Sequence, residues 1–137
     1  MKDTMKEGVE YTLEFKVTES KTVPELYPES ELFASMPRVF ATGYMVGFME
    51  WACMEALAPH LDDGEHSVGV SVNFSHVAAT PPGMMVKAIA KCTGVEGQKT
   101  SWYIEAYDEQ DLIGKGTHDR FTINVDRFNQ KLEKKGI

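Results

Sequence analysis

Three side chains could carry acid–base or nucleophilic chemistry: the carboxylate of Glu50, the imidazole of His76 and the hydroxyl of Thr42. Glu50 stands among Val46, Gly47, Phe48, Met49, Trp51, Ala52, Cys53 and Met54. Burying a carboxylate without a partner is costly. Such a residue is therefore either held by backbone or a second chain, or kept as a general base or nucleophile. His76 ends the row Val68, Val70, Val72, Phe74, His76, which strict strand alternation puts on one inward apolar face. It reads as a core histidine satisfied by a neighbour or as a site residue at a strand end. Thr42 stands where a helix begins. It reads as an N-cap, or as a hydroxyl beside the free N–H groups of a helix start, which can hold an oxyanion.

A second group lies at 114–120, GKGTHDR, where Gly114, Gly116, His118 and Arg120 fall on one face. Two glycines on one face admit a ligand or another backbone. Arg120 could hold an anion; alternatively, His118 and Arg120 belong to a polar outer face with an ordinary salt bridge. GKG lacks the GxxxxGK[ST] pattern of a phosphate loop. No GxSxG elbow, HExxH pair or helix-opening GxGxxG occurs. Cys53 and Cys92 are far apart and read as core residues, so no metal site is expected.

The totals bound the partners. A chain of 137 residues suggests a single domain, 1–137, large enough to bury its own core. A net charge of −7 argues against non-specific nucleic-acid binding. The opening MKDTMKEGVEY has no apolar signal region, and the apolar stretch 44–58 is short and interrupted by Glu50 and Glu55. A cytoplasmic protein without membrane contact is the expectation.

The elements that position these residues follow from periodicity. Segment 8–18 alternates as a strand, with Val9, Tyr11, Leu13, Phe15 and Val17 on one face. Segment 19–40 is broken by Pro24, Pro28 and Pro37 yet keeps many apolar residues, as a lid or as a loop packed on the core. Segment 41–58 is a helix apolar all round, closed by Pro59, which predicts burial on every side. Strands follow at 67–77, 84–95, 101–108 and 112–125, and the polar tail 126–137 holds a short helix at most. A long helix enclosed by a curved antiparallel sheet is the hot-dog fold, of α+β class, and it accounts for both patterns. A generic α+β sandwich would leave one helix face exposed.

VFATGYMVGFMEWACMEALAP (39–59), SHVAATPPG (75–83), GKGTHDRF (114–121) and KTVPELYPES (21–30) together resemble the fluoroacetyl-CoA thioesterase group of hot-dog enzymes, in order and spacing. The resemblance implies hydrolysis of a small acyl-CoA, with coenzyme A as part of the substrate and no separate cofactor. It implies a catalytic trio: Thr42 of FATG, Glu50 of MEWAC and His76 of SHVAATPPG. It also implies Arg120 and the strand glycine Gly69 near the acyl group, and a lid offering Val23, Leu26, Phe33 and Met36. The fluoroacetate-specific enzyme carries a second aromatic residue in that lid where this chain has Met36, a more adaptable side chain. Coenzyme A would need cations, for which Lys87, Lys91, Lys99, Lys115 and the tail lysines are candidates. An open edge strand invites pairing, so a homodimer is expected. Two rival readings are a hot-dog enoyl-CoA hydratase or dehydratase, and a non-catalytic acyl-CoA binding module.

Overall fold

The computed structural model describes residues 1–136. Five strands, β1 (Glu10–Lys16), β2 (Glu65–His76), β3 (Met85–Glu96), β4 (Lys99–Tyr107) and β5 (Leu112–Asn124), form one antiparallel sheet in the order β1-β3-β4-β5-β2. Between β1 and β2 lie two single-turn helices, α1 (Val23–Leu26) and α2 (Glu31–Ala34), and the long α3 (Thr42–Leu57). A last helix, α4 (Val125–Glu133), follows β5 and is capped by the Asn124 side chain. No helix among the described residues is long and apolar enough to cross a membrane.

The core lies between α3 and the sheet. Met45, Phe48, Met49, Ala52, Cys53, Ala56 and Leu57 are buried against Leu13, Val86, Ala88, Ala90, Trp102, Ile104, Ala106 and Ile113. The alanines on β3 and β4 keep that surface shallow, so the helix can approach. Gly114 extends the same logic: a Cβ there would lie 2.8 Å from Met45 Sδ. Gly116, at φ +155, has no room at all, since a Cβ would meet the Asn73 carbonyl oxygen at 2.0 Å. Both glycines thus admit neighbouring protein rather than ligand.

Two expectations are corrected. First, α3 packs against the sheet as the hot-dog fold requires, but it is not buried on every side. Gly43, Gly47, Trp51 and Met54 form an open stripe, with Trp51 45% exposed. The sheet covers one side of the helix and the 19–40 segment only part of the rest. An all-round apolar sequence does not tell an enclosed helix from one whose last face lies open. Second, β2 does not alternate throughout. The register shifts between Gly69 and Ser71: Gly69 faces Arg120, while Ser71 faces the next residue, Asp119. Val72, Phe74 and His76 share one face as expected, opposite His118, Gly116 and Gly114. Val68 instead pairs with Phe121, whose side chain is exposed, and Val70 is the extra residue of the bulge. The bulge thereby gives the inward places of the first half of β2 to Ser67 and Gly69.

Candidate active site

Thr42 is the first residue of α3, and Ala41 is its N-cap, with no side-chain capping bond. The expected N-cap role is therefore wrong by one position. The Thr42 hydroxyl instead lies 2.7 Å from His76 Nδ1, joining the start of α3 to the end of β2. His76 Nε2 is buried and has no hydrogen-bond partner. Burial holds this imidazole below the ordinary histidine range, so it is neutral at neutral pH. The first helical bond of α3 runs from Met45 N–H to Ala41 C=O, which leaves the first-turn N–H groups without intrahelical partners.

Around this pair lies an open cleft of about 370 Å³, lined by lid and strand-end residues that include Val23, Met36, Phe40 and Val77. The lid is anchored at its root by the bridge between Thr22 and Phe40 and by the bond from Phe40 N–H to Thr80 C=O. Val23 and Met36 face the cleft. Leu26 packs over Gly43, where a Cβ would come within 3.1 Å of its Cδ2. Phe33 turns onto Tyr27, with ring centroids 5.5 Å apart.

Glu50 belongs to a different cluster. It is neither enclosed nor unpaired: its side chain is 32% exposed, and Oε2 lies 3.4 Å from Arg120 Nη1. Arg120 donates from Nε to Ser67 Oγ at 2.8 Å and from Nη2 to Ser67 C=O at 2.9 Å. Its Nη1 also lies 3.1 Å from His118 Nε2, while His118 Nδ1 lies 2.6 Å from the Ser71 carbonyl. His118 and Arg120 are both buried on the inner face, which overturns the reading of a polar outer face. Gly69 is what makes the cluster fit: a Cβ there would stand 3.2 Å from His118 Cε1 and 3.6 Å from Glu50 Oε2. Behind it, burial pushes the Cys53 thiol up to about 12, so it stays protonated.

One chain thus holds two separate clusters. Thr42, His76, Val23 and Met36 lie at one end, while Glu50, Gly69 and Arg120 gather at the other. Thr42 and Glu50 are eight residues apart on α3, about 12 Å along its axis. His76 ends β2, and Gly69 lies seven residues back along it, near the middle of the strand. Ser67, which grips Arg120, was not legible in the sequence; the signal would have been its place two residues before Gly69, once the bulge is known. Lys87 and Lys91 lie on β3, on the far side of the sheet from β2, whereas Lys115 pairs with Ser75 beside His76. A cation that the sequence did not single out, Lys21, lies 4.8 Å from the Tyr44 ring, next to the open stripe of α3.

Comparison with known proteins agrees with this architecture. The profile of the fluoroacetyl-CoA-specific thioesterase family matches residues 17–126. The fluoroacetyl-CoA thioesterase of Streptantibioticus cattleyicolor is 50% identical over 135 residues, covering 98% of this chain and 97% of that protein. A solved structure of a fluoroacetyl-CoA thioesterase superposes with a TM-score of 0.95 at 50% identity, covering 97% of this chain and 98% of that one. A Thermus thermophilus thioesterase superfamily member superposes with a TM-score of 0.84 at 33% identity, covering 93% of this chain and 90% of that one. With the hot-dog architecture in place and a match over nearly its whole length, the chain belongs to the fluoroacetyl-CoA-specific thioesterase family and is an acyl-CoA thioesterase.

Proposed function

We propose that this enzyme hydrolyses a short acyl-CoA to the free acid and coenzyme A, with fluoroacetyl-CoA the first substrate to test, at a site shared by two copies of the chain. The observation that carries the reading is the 2.7 Å Thr42–His76 contact with His76 Nε2 unpartnered at the cleft. A neutral imidazole with a free nitrogen can orient water or pass a proton to the departing thiolate. Glu50 supplies the carboxylate. It either attacks the thioester carbonyl, releasing the thiolate and leaving a mixed anhydride for water to cleave, or takes a proton from the attacking water. ¹⁸O from labelled water found in Glu50 after turnover marks the anhydride route, because water that cleaves the anhydride at the Glu50 carbonyl leaves its oxygen there. Arg120 and Gly69 border the acyl group, and the N–H groups at the start of α3 hold the oxyanion.

The sharing of the site rests on the separation of the two clusters. Strand β2 is an edge of the sheet, with Val70 and Val72 exposed. Antiparallel pairing of two β2 edges about a centre between Gly69 and His76 would bring the partner's His76 toward Glu50, because Glu50 lies against Gly69, seven residues back along the strand. The lid residues Val23, Leu26, Phe33 and Met36 set the acyl group, and half-exposed Met36 favours tolerance over strict selection. Two buried free thiols suit a cytoplasmic, reducing setting. The test is a panel of short and aromatic acyl-CoAs with release of free thiol as readout. Turnover that is lost in Glu50→Gln supports the proposal. Binding without thiol release, or hydration of an enoyl-CoA in its place, overturns it.

A further inference from the structure

We infer that His118, which reaches the candidate carboxylate only through Arg120, is a positioning residue that aims the Arg120 guanidinium at Glu50 and holds the β2 bulge that clears space beside it. The inference rests on the proposed role of Glu50. Its geometry is a chain of four groups. His118 Nδ1 lies 2.6 Å from the Ser71 carbonyl, His118 Nε2 lies 3.1 Å from Arg120 Nη1, and Arg120 Nη1 lies 3.4 Å from Glu50 Oε2. A guanidinium only donates hydrogen bonds, so His118 Nε2 accepts. The ring proton is then on Nδ1, where it is donated to the Ser71 carbonyl. Arg120 Nη1 carries two N–H bonds: one is taken by His118, and the other points to Glu50. With Nε and Nη2 both held by Ser67, the guanidinium has no rotational freedom left.

The other end of the ring matters equally. Ser71 is the residue after the bulge, and the bulge is what turns Gly69 inward against Glu50. One imidazole therefore ties the bulge on β2 to the arginine on β5. An imidazolium could not do this, because its second N–H would face an Arg120 N–H. The charged groups around the ring are Arg120 and Asp119 on its own strand and Glu50 on α3, while Cys53 on α3 faces Arg120. Phe74 packs on it from β2 with ring centroids 5.9 Å apart, and Trp102 is its pair on β4.

Three substitutions separate the two hydrogen bonds. The His118→Gln amide oxygen reaches the Nε2 position and accepts from Arg120. His118→Asn keeps a donor for Ser71 only, and His118→Phe keeps ring bulk with neither bond. In steady-state hydrolysis by the whole protein, Phe and Asn should lower kcat by about 100-fold with a smaller change in KM, while Gln recovers at least about tenfold of that loss. In the wild type, ¹⁵N NMR of the ring at neutral pH should report the neutral Nδ1–H tautomer. Wild-type kcat in folded His118→Phe, a Gln variant no better than Asn, or an Nε2–H tautomer or imidazolium overturns the inference. The NMR measurement decides it even where a variant fails to fold. Loss of turnover in Glu50→Gln together with full activity in His118→Phe would sink this inference alone. A wild type that cleaves no acyl-CoA would sink the proposed function and leave the tautomer to judge the hydrogen-bond chain.

Discussion

Thr42 stands one residue too far into α3 to cap it, and that displacement frees its hydroxyl for His76. A hydroxyl used for a cap would be replaceable by any good capping residue. A hydroxyl used on His76 is not, so Thr42→Ser should keep a measurable kcat while Thr42→Val loses about 100-fold, in a thiol-release assay with matched thermal melts. His76 and His118 set a pH dependence of stability. Burial holds both below the ordinary histidine range in the folded chain. The unfolded chain therefore binds protons first as pH falls, and stability declines from about pH 6.5 downward until the folded-state values are passed. Above that range their full contribution is present. Melting temperature measured from pH 8 to pH 5 should fall with acid, and the fall should be shallower in His118→Gln. At this scale the sequence was informative about which residues matter and poor about what they touch. A threonine at a helix start looks alike one position either way, and the Arg120 partner of Glu50 lies seventy residues away in the chain.

At the scale of elements, the strands match their expected ranges to within two residues, because alternation over long β2, β3 and β5 is a strong signal. The bulge was invisible for the same reason. Val68, Val70 and Val72 keep the period of two straight through it, so nothing in the pattern marks the slip. Its consequence can be measured. Gly69→Ala puts a Cβ 3.2 Å from His118 Cε1 and 3.5 Å from Arg120 Nη1. It should cost roughly 10–100-fold in kcat by disturbing that geometry, with little change in denaturant midpoint, since Gly69 is exposed. Gly116→Ala is the opposite case. Its Cβ would overlap the Asn73 backbone, so a stability loss of about 3 kcal/mol or more is expected in urea titration. The lid is a mixed result. Its apolar residues do surround a cleft, but Phe33 and Leu26 spend their surface on Tyr27 and Gly43. Loop packing of that kind has no period from which to read it.

At the scale of the whole molecule, one sheet and one helix leave two things unfinished: an edge with exposed valines and an apolar stripe on α3. The sequence told of a helix that needs cover and an edge that invites pairing. It could not tell that the chain itself leaves the cover incomplete. A charge placed on the edge by Val70→Lys should give a folded monomer in light scattering with little hydrolytic activity. The proposed sharing of the site between two copies has a consequence in genetics. A chain crippled at Glu50 keeps a sound Thr42–His76 pair, and a chain crippled at His76 keeps a sound Glu50. Co-expressed as Glu50→Gln and His76→Ala, two dead alleles should rescue one another. Each mixed pair would carry one intact centre and one doubly broken centre, so random pairing restores about a quarter of the wild-type centres.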